Sequence, residues 1–282
     1  MTQAPALTDR AALTRFRARA RRRAEPAFFL HDEAVDEIKE RLTEVNRTFT
    51  APAVVSAFPE IWGAAFADAV HVSDQDTLDL QPGAHDLVIH AMSLHWANDL
   101  VGQLVQCRRA LRPDGLFLGV FFGGQTLQEL RVALAQAEVA LTGGLSPRVA
   151  PMGEIRDLGA LLQRAGFALP VADSAARLVT YRSPLHLIDD LRGMGEVNAL
   201  SSRHRVAPPR ALFSEMARIY HDTYAQPDGR IPATFETIFL TGWAPDESQQ
   251  KPLRPGSAKA RLADALKTFE MPLADPIKPR DN

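Results

Sequence analysis

The chain has 282 residues, 46% of them hydrophobic, with 32 basic against 34 acidic side chains and a formal net charge of −2. That length and apolar content suit a packed core with an elaborated second lobe, and the near balance of charge supplies no global field for nucleic acid or anionic lipid. No run approaches the ~20 apolar residues of a membrane-spanning helix, since the longest, Leu116 to Phe122, contains Gly119 and stops at Gly123.

Residues 1–50 read as a helical lead-in. Thr8 to Ala24 and Asp32 to Val45 are expected to be helices, the second with Val35, Ile38 and Leu42 on one face. Six arginines crowd the stretch from Arg15 to Arg23. An Arg-rich, acid-poor start can mark an organelle leader. Here it runs into F-F-L-H-D-E-A-V-D-E-I-K-E-R-L, a helix with an acidic first turn and a basic end, so the arginines read as a solvated face of the folded protein, open to an anionic partner.

Residues 51–182 read as a Rossmann-like α/β core. Ala53 to Ala57 is a short strand candidate, Pro59 suits the first turn of the next helix, and a strand is expected near Val70 to Val72. Asp86 to Ala91 is near-continuously apolar, as a buried parallel strand is. Asn98 to Leu111 is amphipathic, Arg112-Pro113-Asp114-Gly115 is a turn, and Leu116 to Phe122 a second buried strand. This alternation predicts a doubly wound parallel sheet. Helices follow over Gln125 to Leu141 and Glu154 to Ala165, then a strand at Ala175 to Tyr181. Residues 183–244 read as a cap and final strand: helices at Pro184 to Leu191 and Pro209 to Tyr224, and a strand at Ala233 to Trp243. Residues 245–282 read as a loosely attached tail with one helix near Ala258 to Phe269.

The first half of this core lacks the parts that hold a nucleotide-type cofactor. Where a glycine-rich loop belongs stands Val55-Ser56-Ala57-Phe58-Pro59-Glu60. From Val54 to Val88 is 34 positions, and one βαβ unit already takes ~30, so a second strand with its acid and a following helix do not both fit. A sheet short by one strand is the expectation. The eight histidines are scattered without ligand spacing, so no metal site is expected. Cys107 is the one cysteine; it reads as a packed thiol and suits a reducing compartment, a bacterial cytoplasm or its equivalent such as the mitochondrial matrix.

Four segments carry a recognisable pattern: Asp86-Leu87-Val88 through Ser93-Leu94-His95-Trp96-Ala97-Asn98-Asp99-Leu100; Leu111-Arg112-Pro113-Asp114-Gly115; Phe122-Gly123-Gly124-Gln125-Thr126-Leu127-Gln128-Glu129-Leu130-Arg131; and Leu191-Arg192-Gly193-Met194-Gly195-Glu196-Val197-Asn198. Together, over roughly Phe28 to Ser257, they resemble the methyltransferase-fold family of the mitochondrial complex I assembly factor that acts as an arginine hydroxylase, with its bacterial relatives. That family is similar to the malonyl-carrier-protein methyltransferases of biotin synthesis. The resemblance implies a class I S-adenosylmethionine fold and a protein partner in respiratory complex assembly.

Two functions remain open on this reading: a non-catalytic assembly or scaffold factor with weak or absent S-adenosylmethionine binding, and an active methyltransferase or arginine hydroxylase with an atypical cofactor loop. A nucleic-acid module rests on the Arg15 to Arg23 cluster alone. His95 and Trp96 end a central strand at the carboxyl edge where open α/β sheets bind ligands, and read either as a substrate contact and its platform or as packing beneath the cap. Gly123 and Gly124 give flexibility that would let Glu129 and Arg131 face the cleft, each otherwise held in a salt bridge. Met194, Glu196 and Asn198 read as loop contacts to the cleft or a partner. Asp74 and Asp76, matching the region that lines the adenine, read either as a remnant of the cofactor site or as exposed turn acids.

Overall fold

Asp9 caps the first helix, α1 (Arg10–Arg21), its carboxylate accepting from the Ala12 N–H at 2.9 Å. Helix α2 (Phe29–Glu44) buries Leu30, Ala34, Val35 and Ile38, a stripe at three- and four-residue spacing. The chain then alternates through β1 (Pro52–Ser56), α3 (Pro59–Ala65), β2 (Val70–Val72), β3 (His85–Ala91), a 3-10 turn (Leu94–Trp96), α4 (Leu100–Ala110), β4 (Leu111–Gly123), α5 (Gln128–Thr142), α6 (Ile155–Arg164), β5 (Ala168–Tyr181), α7 (Pro184–Met194), α8 (Arg210–Tyr224) and β6 (Ile231–Trp243). This computed structural model describes residues 6–249, and those through Asp246 belong to one compact unit. The helix expected near Ala258 to Phe269 lies outside the described residues.

The strands form one six-stranded sheet in the order β2-β1-β3-β4-β6-β5. β1 to β4 are mutually parallel. An all-parallel sheet is corrected at the other end, where β6 runs antiparallel to both β4 and β5. The reason is connectivity. β5 ends at Tyr181 paired with Ile231, the first residue of β6, so the intervening α7 and α8 leave and return at the same edge and the last strand must run backwards into the slot beside β4. At the opposite end the interval from Val54 to Val88 holds one short helix and the three-residue edge strand β2, and no more.

Alternation along the strands sorts the core onto two faces. Leu116, Leu118, Val120 and Phe122 of β4 join one cluster with α2, α5, α7 and α8, while Phe117 and Phe121 join the other with α4 and α6. Both faces of the central strands are therefore covered, which accounts for their continuous apolar sequence. Cys107 is buried in the second cluster and its thiol is pushed up by desolvation, as expected of an inert packed thiol.

Candidate functional site

The carboxyl ends of β1, β3 and β4 define the edge where this architecture places ligands. Its two halves differ: the part above β1 and β2 is filled, and the part above β4 and β6 is open.

In the filled half the chain leaves β1 at Ser56, whose hydroxyl accepts the Phe58 N–H at 3.0 Å. Phe58 is fully buried, its ring 5.0 Å from that of Phe28 and 4.8 Å from that of His31, with the Arg21 guanidinium 5.1 Å from the ring centre. Beneath it Trp62 Nε1 donates to His31 Nδ1 at 3.2 Å. Burial depresses the His31 imidazole to about 4, so it stays neutral.

Across the same space Arg17 Nη1 meets Asp74 Oδ2 at 2.8 Å and Arg10 Nη1 meets the same oxygen at 3.3 Å. Desolvation pushes the Asp74 carboxyl up, but the charges of Arg17 and Arg10 and their hydrogen bonds outweigh it and hold the group below its ordinary value. The arginines were expected to form a solvated face. Arg17 departs from this because it shares the buried stripe of α1 with Leu13 and Ala20, and the carboxylate of Asp74 supplies the partner a buried guanidinium requires. Arg21 folds onto Glu60 and the Ala57 carbonyl, and Arg23 onto Asp189. Arg15, Arg19 and Arg22 are exposed, as expected. Asp74 is buried and not an exposed turn acid; Asp76 is exposed, and its backbone carbonyl accepts from Gln103 and Gln106.

The wall between the halves is a cluster of three predicted residues. Trp96 Nε1 donates to Glu196 Oε2 at 2.7 Å, and His95 Nε2 lies 3.1 Å from the same oxygen. A carboxylate only accepts, so Nε2 of His95 carries the proton. Burial raises the Glu196 carboxyl; His95, Arg17 and the Trp96 N–H lower it, and the net position is below the ordinary value. Gly195, at φ +80, ends α7 just before it. A Cβ there would stand 3.1 Å from the Arg17 Cα and 3.3 Å from Phe58, so α1 lies as close as it does because this residue is glycine.

In the open half a cleft of about 590 Å³ lies between α1, α5, α7, α8 and the loop 196–206. Its lining is mainly apolar, with Phe16, Phe122, Leu130, Phe213 and Phe235 prominent. Glu196, Trp96 and Asn198 belong to its wall, Asn198 donating to the Pro147 carbonyl at 2.8 Å. Five arginines also line it, Arg15, Arg148, Arg192, Arg203 and Arg205, and of these Arg15, Arg192 and Arg205 are exposed at its mouth. The N-terminal segment is stitched to the loop by Asp9 N to Ala199 O (2.7 Å), Ser201 N to Leu7 O (2.8 Å) and Arg203 to Asp9 (2.9 Å).

The remaining predicted residues serve the scaffold. Glu129 is turned away from the cleft, accepting from Thr234 N at 3.1 Å and Thr234 Oγ1 at 2.5 Å, because β6 inserts beside the start of α5. Arg131 donates to the Thr126 and Ala150 carbonyls. Gly123 and Gly124 are small because Ile238 and the Glu236 carboxylate of β6 occupy the positions their side chains would take. Met194 is buried in the core at the end of α7, so it is no exposed loop contact. Among the described residues no group of three or more His, Cys, Asp or Glu is placed to hold a metal ion.

With that geometry in view, comparison with known proteins places the fold. Residues 33–119 match the family model described as a methyltransferase domain. A curated relative, "Arginine-hydroxylase NDUFAF5, mitochondrial" of Danio rerio, is 40% identical over 196 residues, covering 70% of this chain and 61% of that protein. A "Malonyl-[acyl-carrier protein] O-methyltransferase" of Methylovorus is 33% identical over 173 residues, 61% of this chain and 56% of that protein. A solved Bacillus halodurans structure titled as a methyltransferase shares the fold at 12% identity and a TM-score of 0.50, over 74% of this chain and 98% of that one. The protein thus has a class I methyltransferase fold. In sequence it is similar to the NDUFAF5 arginine-hydroxylases and to the malonyl-carrier-protein methyltransferases, and it spans less than two thirds of the length of those curated relatives.

Proposed function

We propose that this chain is a non-catalytic assembly factor on a methyltransferase fold, one that recognises a segment of a respiratory complex I subunit in a reducing compartment. One observation carries the reading: Phe58 and the Arg17–Asp74 pair fill the carboxyl edge above β1 and β2, while the cleft above β4 and β6 stays open. The residues present do not fit S-adenosylmethionine. Its methionine end needs close approach of a glycine backbone, and here a buried phenylalanine follows the strand, with one loop N–H already taken by Ser56. The ribose hydroxyls need a free carboxylate, and the buried Asp74 is engaged by two guanidinium groups.

The partner side of the reading draws on the NDUFAF5 relatives and on the retained cleft. Its test is genetic. In a host deleted for the chain, assembled complex I is quantified on native gels after complementation. The wild type and Phe58→Leu are expected to restore it, and Leu130→Trp, which fills the cleft, is not. Full restoration by Leu130→Trp at equal protein level contradicts the role assigned to the cleft.

A further inference from the structure

The mouth and the floor of the cleft differ in chemistry, and the difference says what kind of segment enters. The floor is aromatic and aliphatic. It contains one acid, Glu196, which already accepts from Trp96 and lies beside His95. Around it stand five arginines, from α1, α7, the loop before α6 and the loop after α7. Two of these are internally satisfied: Arg148 by Glu138 at a contact of 2.5 Å and Arg203 by Asp9 at 2.9 Å. Arg15 and Arg192 are exposed and form no ion pair within 4 Å among the described residues; the acid that feels the charge of Arg192, Asp189, is held by Arg23. Arg205 is 73% exposed and only 3.8 Å from an Asp9 that Arg203 already holds. The uncommitted charge around the mouth is therefore all of one sign.

We propose that the cleft takes an acidic amphipathic segment of a partner protein. Its apolar side chains enter against Phe16, Phe122, Phe213 and Phe235, and its flanking carboxylates meet Arg15, Arg192 and Arg205. This rests on the reading of the cleft as a recognition site and adds the chemistry of its occupant. A basic segment would bring like charges against guanidinium groups at the rim, which disfavours both encounter and docking. A single small carboxylate engages one or two guanidinium forks. The free arginines come from α1, α7 and the loop after it, so a segment with several carboxylates matches them and one acid does not. The apolar anchor supplies most of the affinity, and the rim charges supply selectivity and salt dependence.

The test uses the full chain and a fluorescein-labelled synthetic helix of about 16 residues, with Leu and Phe along one stripe and Glu on its flanks. Two controls accompany it: the same stripe flanked by Lys, and the Glu peptide with its stripe changed to Ser. Anisotropy titrations are expected to show saturable binding of the Leu/Phe–Glu peptide alone. The paired reversal Arg15→Glu and Arg192→Glu, both at exposed positions, is expected to weaken it about tenfold or more, and raising salt from about 50 to 300 mM to weaken it several-fold. Equal binding of the Lys peptide, equal binding of the Ser-stripe peptide, or an unchanged affinity in the reversed variant overturns the proposal. So does absence of saturable binding by the acidic peptide. Micromolar S-adenosylmethionine binding would instead overturn the non-catalytic reading, and it is measured separately.

Discussion

Arg17 of the first helix and Asp74 of the loop after β2 are joined at 2.8 Å, with 5% and 6% of their side chains exposed. The pair ties the N-terminal helix across the carboxyl edge of the sheet. Removing one member leaves a buried charge without its main partner, which typically costs about 3 kcal/mol or more. Arg17→Leu is therefore expected to lower unfolding free energy by about 3 kcal/mol, with Arg10 compensating in part. The double variant Arg17→Leu with Asp74→Leu is expected to be less damaged than the sum of the singles by about 1 kcal/mol or more in urea unfolding. Additive losses would show that the two charges are not coupled.

Glu196 concentrates two bonds on one oxygen, so its truncation strands Trp96 Nε1 and His95 Nε2 in a buried wall. Glu196→Ala is expected to cost about 2–3 kcal/mol. Glu196→Gln, which keeps an acceptor, is expected to cost less than half of that. Equal losses in the two variants by denaturant unfolding would mean that the wall is held by packing and not by these bonds.

Gly124 sits at φ +49, and a side chain there would collide with the Glu236 carboxylate that accepts the Gln125 N–H at 2.8 Å. Gly124→Ala is expected to destabilise by about 2 kcal/mol or more, through both strain and displacement of that carboxylate. A variant with unchanged midpoint in thermal unfolding would remove the packing explanation for this motif.

Two buried histidines set a pH dependence. Burial lowers both His31 and His90 to about 4, against an ordinary value of 6.5. Between these values the unfolded chain binds protons that the folded chain does not, so stability is full above about 6.5 and is lost as pH falls toward 4. Asp74 and Glu196, held below their ordinary values, add to the loss at more acidic pH. Urea unfolding at pH 5.0 is expected to give a free energy lower than at pH 7.5 by on the order of 2 kcal/mol for each histidine. Equal stability at the two pH values would contradict the neutral buried state of these rings.

The sequence revealed most of the sheet because both faces of β3 and β4 are covered, which forces continuous apolar runs bounded by turn residues. The direction of β6 was hidden, since strand polarity depends on where α7 and α8 return and not on local pattern. His95 and Trp96 stood out at a strand end and Glu196 in a glycine-bearing loop, and the structure brings the three side chains together. Arg17 was not singled out, although an arginine at the i+4 position between Leu13 and Ala20 marks a charge on a buried stripe. Glu129 and Met194 misled for the opposite reason: residues in a motif were read as cleft contacts, when the packing of β6 and the core required them. The apolar floor drew on Phe16, Phe213 and Phe235, which lie on three separate elements and share no sequence signature.

The proposed loss of cofactor binding is most directly tested by calorimetric titration of the full chain with S-adenosylmethionine and S-adenosylhomocysteine. Each lost charged hydrogen bond costs about 1.5–3 kcal/mol, so losing two weakens a micromolar site to roughly millimolar. No saturable heat is expected below about 1 mM for either ligand. Saturable binding with a micromolar Kd would show that Phe58 and the Arg17–Asp74 pair move aside, and would contradict the non-catalytic reading.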